Sequence, residues 1–206
     1  MMKNVFFTPW VGKLYFEKRY NNKKILILGE SHHCGYCADC KNPKDCNLTI
    51  VVIGDYLNYK NGNAQFEKWM GAFTKFTNIF FGKNCDVETL NNFWNSIIFY
   101  NYVQKPINEP RIEPTKQMFN DSENAFFEIL NEYDPDIIIV WGKRLWDNLP
   151  HNGYWGEKCI LDDQGGKFYY YTSKSKDIPA YRIDHPSTPS FKKKCSKYLK
   201  EIMQLI

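Results

Sequence analysis

A chain of 206 residues with a net charge of +4 and 17% aromatic residues is long enough for a sheet covered by helices on both faces, and one core is the default. No apolar run approaches the length of a helical membrane span, and the charge permits a polyanionic partner without requiring one. The segment 1–16 is broken by Pro9 and Gly12 and lacks a small-residue cleavage pattern, so it is a poor signal peptide and the expected location is the cytoplasm.

Ile25, Leu26, Ile27 and Leu28 form an unbroken apolar run closed by Gly29, the pattern of a strand buried on both faces of a parallel sheet. A cysteine-rich loop follows at 34–46, and the run LTIVVIGDYL at 48–57 fits a strand or a buried helix. Phe66, Trp69, Met70, Phe73, Phe76, Ile79 and Phe80 recur at helical spacing, which predicts a core-facing helix over 64–81. Asp86 is placed to cap a further helix to about residue 95, and 97–103 reads as a strand. A proline-bearing loop at 105–114 leads to a helix over 122–132, which Pro135 ends. Ile137, Ile138, Ile139, Val140 and Trp141 repeat the first pattern, closed by Gly142 and followed by a helix over 143–149. The DDQGGK turn at 162–167 suggests a hairpin before a strand at 168–172, and 181–184 is a last short strand. Phe191, Cys195, Tyr198, Leu199, Ile202 and Ile206 give the closing helix its apolar stripe. Strands alternating with helices in this order imply an α/β fold of three layers, a central parallel sheet of about four strands flanked by helices. No repeat or linker divides the chain, so 1–206 reads as a single domain with 34–46 as an inserted loop.

Ligands of such sheets bind at the carboxyl ends of the strands. There the chain places Glu30, Ser31, His32, His33 and Cys34 after the first strand, Asn101 near the end of a later one, and His185 and Ser187 beyond the last. Cys34, Cys37, Cys40 and Cys46 stand within thirteen residues, separated by two, two and five positions. Four thiols so spaced can wrap a structural zinc ion; the first three also fit an iron-sulfur ligand run, and free thiols are the third reading. The adjacent histidines are further candidate metal ligands. Cys85, Cys159 and Cys195 are expected to be small buried groups. Lysines gather at 192–194, 197 and 200, where a solvated helix face and a phosphate contact are both open readings.

The order of these landmarks resembles the uracil-DNA glycosylase superfamily. GESHH after the first strand looks like its first motif, with a Gly-Glu opening similar to that of the iron-sulfur branch. FYNYVQKP around Asn101 is similar to that branch's Asn-bearing strand and Pro-rich loop, PDIIIVWGKRLWDNL to the strand, Gly and helix that follow, and His185, Pro186 and Ser187 to the late HPS motif. The resemblance covers residues 24–194 and implies hydrolysis of the N-glycosidic bond of uracil or a related damaged base in single- or double-stranded DNA. By it, His185 stabilises charge on the departing base, Asn101 reads the base edge, and Gly29, His32 and Ser187 complete the substrate-binding edge. Thr188, Lys192 and Lys193 are the implied DNA contacts, with Pro189 where a wedge residue is expected. Ser31 stands where most of the superfamily carries an Asp or Asn that places water, and a serine hydroxyl orients water rather than deprotonating it. Glu30, His32 or His33 would then supply the base, or leaving-group stabilisation would suffice. The compact cysteine run departs from the spread ligands of the iron-sulfur branch. Two rival readings are an inert nucleic-acid-binding relative using the same cleft and a metal-dependent hydrolase built on His32, His33 and the cysteines.

Overall fold

The structure, a computed structural model, describes residues 2–17, 22–34, 46–107, 112–150, 154–155, 168–173 and 175–205. In chain order its elements are β1 (Trp10–Val11), β2 (Ile25–Gly29), α1 (Leu48–Lys60), α2 (Met70–Phe80), α3 (Val87–Trp94), β3 (Ile97–Asn101), α4 (Lys116–Asp121), α5 (Glu123–Tyr133), β4 (Ile137–Trp141), α6 (Lys143–Asp147), β5 (Tyr154–Trp155), β6 (Phe168–Thr172), β7 (Asp177–Ile183) and α7 (Phe191–Leu205). The fold is α/β. The strands form one sheet in the order β1-β3-β2-β4-β7-β6-β5. Its centre, β3-β2-β4-β7, is parallel, as expected; the sheet is larger than the four strands foreseen because β1 joins one edge and β6 and β5 the other, all antiparallel. The last parallel strand is also longer than 181–184, because Asp177 to Ala180 pair with β6 before and as β7 engages β4. Pro179 stands just ahead of the first β7–β4 pair, Ile138 with Ala180, where its missing N–H leaves no gap in that ladder.

Every position of β2, β3 and β4 is buried, as unbroken apolar runs require when both faces are covered. Period-two alternation sorts them. Ile25, Ile27, Ile97, Phe99, Ile137, Ile139 and Trp141 face a core shared with α1, α2, α3 and α7; Leu26, Leu28, Ile98, Tyr100, Ile138 and Val140 face one shared with α4, α5 and α6. The first core absorbs much of the aromatic content: Phe73 lies 5.3 Å from Trp94, 5.5 Å from Phe99 and 5.6 Å from Trp141, ring centre to ring centre.

The ambiguous run at 48–57 is helix, which lets Ile53, Tyr56 and Leu57 reach one core from successive turns. The helix foreseen over 64–81 starts only at Met70, and Phe66 and Trp69, expected in the core, are exposed at 54% and 39%. Asp86 caps α3 as expected, its carboxylate accepting the Thr89 N–H at 2.7 Å. The segment 143–149 ends its helix two residues early, at Asp147, and Thr115 caps a short helix, α4, that the sequence pattern did not mark. Cys195 is buried, whereas Cys85 is only half-buried, and Cys159 lies outside the described residues, as does the DDQGGK turn. No helix among the described residues is long and apolar enough to cross a membrane.

At the amino-terminal edge of the sheet, charges fasten the strands. The Lys24 and Asp136 backbones are tied, Lys24 N–H donating to the Asp136 carboxylate at 2.7 Å and Asp136 N–H to the Lys24 carbonyl at 2.7 Å. Lys176 pairs with Asp136 and, at 3.5 Å, with Asp134, whose carboxyl Ser175 and Ser173 hold at about 2 against the opposing push of burial. This edge holds structure together; the candidate site residues gather at the opposite one.

Candidate active site

The parallel ladder runs past the formal ends of β2 and β3. Tyr102 N–H donates to the Gly29 carbonyl at 2.9 Å, Val103 N–H to Glu30 at 2.8 Å and Ile107 N–H to His32 at 3.0 Å. The segment GESHH is therefore a guided extension of the strand rather than a free loop, and its side chains have fixed neighbours. Gly29 faces Asn101 across this ladder so closely that a Cβ would lie 2.1 Å from Asn101 Oδ1.

Glu30 points toward the amino end of α6. Arg144 Nε donates to its Oε2 at 2.8 Å and Arg144 Nη2 to its Oε1 at 2.5 Å, a bidentate pair, and Arg144 also pairs with Glu113. The Glu30 carboxylate, its side chain only 16% exposed, is thus held in place by a cation. Arg144 carries no recognisable signal in the sequence; it reaches the site because Gly142, at φ +102°, turns the chain straight from β4 into α6.

His32, expected at the substrate-binding edge, is buried. It is 5% exposed, packs against Phe7 at 4.8 Å, and places Nε2 2.8 Å from the Thr49 hydroxyl. Asn101 Nδ2 lies 3.2 Å from its Nδ1 and 2.9 Å from its Nε2. An amide nitrogen only donates, so it needs a bare ring nitrogen, and burial with the neighbouring His33 charge lowers the imidazole to about 3. His32 is neutral, and its buried ring is engaged by Thr49 and Asn101. Asn101, 7% exposed, is correspondingly turned inward, its nitrogen given to His32 rather than presented to the cleft.

His185 stands on the other side of the edge, its ring 5.8 Å from that of Trp141 and edge-on to it, and its Cβ 3.6 Å from where a Gly142 Cβ would be. Its Nδ1 accepts the Ser187 backbone N–H at 3.2 Å and lies 2.7 Å from the Ser187 hydroxyl. An N–H aimed at Nδ1 leaves the proton of the neutral ring on Nε2. Burial first, and Arg144 with it, lower this imidazole against the opposing pull of Glu30, so the neutral Nε2–H form is the resting one. Thr188 closes the turn, its N–H and hydroxyl both donating to the His185 carbonyl at 2.9 Å, while its own carbonyl accepts from Lys75 Nζ at 2.9 Å.

The edge thus brings together Glu30, Arg144, His185 and Ser187, with Asn101 and His32 as a buried polar pair and Ser31 half-buried between them along the chain. Lys192 and Lys193 are exposed on the first turn of α7. Of the four clustered cysteines, Cys34 and Cys46 are half-buried, each tied by backbone hydrogen bonds, to Ile107 and Phe6; Cys37 and Cys40 lie outside the described residues. Among the described residues no three His, Cys, Asp or Glu side chains are grouped to hold a metal. Arg144, Trp141, Thr49 and Lys75 were missed by the sequence reading, because each reaches the site through a contact distant in the chain. No family model and no curated protein matches the chain.

Proposed function

We propose that the protein is a DNA glycosylase of the uracil-DNA glycosylase type, hydrolysing the N-glycosidic bond of uracil or a related damaged base. The observation that carries this reading is His185, a neutral imidazole whose Nδ1 is occupied by Ser187 and whose Nε2–H is left to donate. A departing pyrimidine gathers negative charge on an oxygen, and a preorigented donor of this kind stabilises it without first having to be deprotonated or turned. Arg144, itself paired with both Glu30 and Glu113, fixes the Glu30 carboxylate before substrate arrives, so that Glu30 in this role positions. Water would be oriented by Ser31 and the Glu30 carboxylate, in a reaction carried chiefly by leaving-group stabilisation. Asn101 reads a base edge only after releasing His32, or through its oxygen.

That inward-turned Asn101, together with Ser31, favours a second reading: an inert relative that binds nucleic acid in the same cleft. Base release separates the two. His185→Gln should lower the single-turnover rate by about 10²–10³, the usual cost of losing one such donor, while Lys116→Ala, on the exposed face of α4, leaves the rate within about twofold. Equal rates in the two variants would remove His185 from the mechanism.

A further inference from the structure

Beside the His185 turn, a groove of about 770 Å³ opens between α1, α2, the 82–84 turn and α7. Among the described residues five lysines line it, Lys60, Lys75, Lys83, Lys192 and Lys200, and no carboxylate does. They come from every element that forms the walls, and Lys200 reaches across from α7 to within 3.5 Å of where a Gly82 Cβ would be. Asp86 feels Lys83, but its carboxylate is engaged in capping α3. Like charges gathered without counter-charges are unfavourable, and an anion entering the groove relieves that repulsion.

The groove also has flat apolar surface. Tyr59 and Phe66 lie 5.4 Å apart on its wall, Phe66 at 54% exposure, and Lys60 sits over the Tyr59 ring at 5.3 Å. Burial lowers the Lys60 ammonium below its ordinary value, so this charge too lacks a full solvent shell. Lysines with an exposed aromatic ring, in one open channel, are the recognition chemistry of a single-stranded nucleic acid: phosphates on the ammonium groups, a base on the ring. Lys75 joins the channel to the active edge directly, through its hydrogen bond to Thr188 three residues beyond His185.

We infer that this groove holds the single-stranded flank of the substrate strand, so that the protein acts on single-stranded nucleic acid in preference to duplex. The inference rests on the reading of the His185 edge as a site for a nucleic-acid base, and it reassigns Lys192 from a solitary phosphate contact to one wall of a five-lysine channel. Lys193, exposed but outside the channel, is not part of it.

The test is binding of a fluorescent, uracil-free oligothymidylate to the full chain, followed by anisotropy over a range of salt, so that the outcome is independent of cleavage. With Lys75 already bonded to Thr188, four free ammonium groups predict a salt slope of about −3 for single strands. Lys83→Glu with Lys200→Glu should weaken binding at least tenfold and flatten that slope by about 1.4; Phe66→Ala should weaken binding about fivefold or more with the slope unchanged, because stacking releases no counterions. Lys116→Glu, on the exposed face of α4, is the surface control, expected to change affinity less than twofold. Unchanged affinity in the double and Phe66 variants, tighter binding of duplex than of single strand, or full displacement by inorganic polyphosphate with no loss in Phe66→Ala would each overturn the inference. Base release from uracil-containing DNA with any of these results would leave the proposed activity standing and the groove assignment refuted.

Discussion

At the scale of residues, the edge is built from groups whose protonation is set by packing. His32 is the clearest case, since its ring is neutral when folded, at about 3, and titrates near 6.5 when the chain unfolds. Between those values the unfolded chain binds a proton that the folded one refuses, so stability is full above about pH 6.5 and falls as the pH drops toward 3. One such proton is worth about 1.4 kcal/mol per pH unit, a large slope against a typical total of about 5–15 kcal/mol. His185, also lowered by burial, adds to the slope in the same direction. His32→Gln keeps an acceptor for Asn101 but removes the titration. Urea midpoints at about pH 6, 5 and 4 should therefore show a slope reduced by roughly one proton relative to the parent. An identical slope in the two proteins would mean that His32 is protonated in the fold, and that Asn101 does not donate to it.

At the scale of elements, the placement of the site depends on how two strand ends fit. β2 and β3 are in register from Ile25 with Ile97 to Gly29 with Asn101, and only a glycine allows the Asn101 amide to lie against that last position. Gly29→Ala puts a methyl 2.1 Å from Asn101 Oδ1, whose other atoms are fixed by His32, so something must move. The expected cost is about 1–3 kcal/mol, as for other overpacked cores, read as a lower urea midpoint. No loss of stability would show that Asn101 is free to swing, and would make it available to a substrate after all. The central strands β2, β3 and β4 were legible because each is an apolar run closed by a glycine or a polar end, whereas the edge strands β1 and β5 carry no such run. The helices were less so. Phe66 and Trp69 continue the apolar spacing of α2 backwards, yet Phe66 lines the groove and Trp69 only edges onto Phe73 at 5.8 Å, because apolar spacing records which residues share a face and not whether another element covers it.

At the scale of the whole molecule, one edge of the sheet is tied by ion pairs and the other gathers the residues of the candidate site. Lys24, Asp134, Asp136 and Lys176 pair across the former, while the latter gathers Glu30, Arg144, His185 and the lysine groove. The sequence announced His185, Ser187 and Glu30 because they follow recognisable strands. It was silent on the Arg144 clamp, on the inward turn of Asn101 and on the groove, since the first two depend on contacts 114 and 69 residues apart and the third on walls drawn from α1, α2 and α7, which periodicity does not record. Much of the aromatic content is spent in the core: Phe73, Phe76, Phe93, Trp94 and Trp141 are all buried. The central claim is that this edge cleaves a glycosidic bond. Its most direct measurement is incubation of the purified protein with end-labelled single- and double-stranded DNA bearing one uracil or another altered base, followed by hot alkali. The account predicts a break at the altered base, strongest in the single strand and lost in His185→Gln. Intact DNA across the whole panel, with binding retained, would contradict it and leave a nucleic-acid-binding protein with the same cleft.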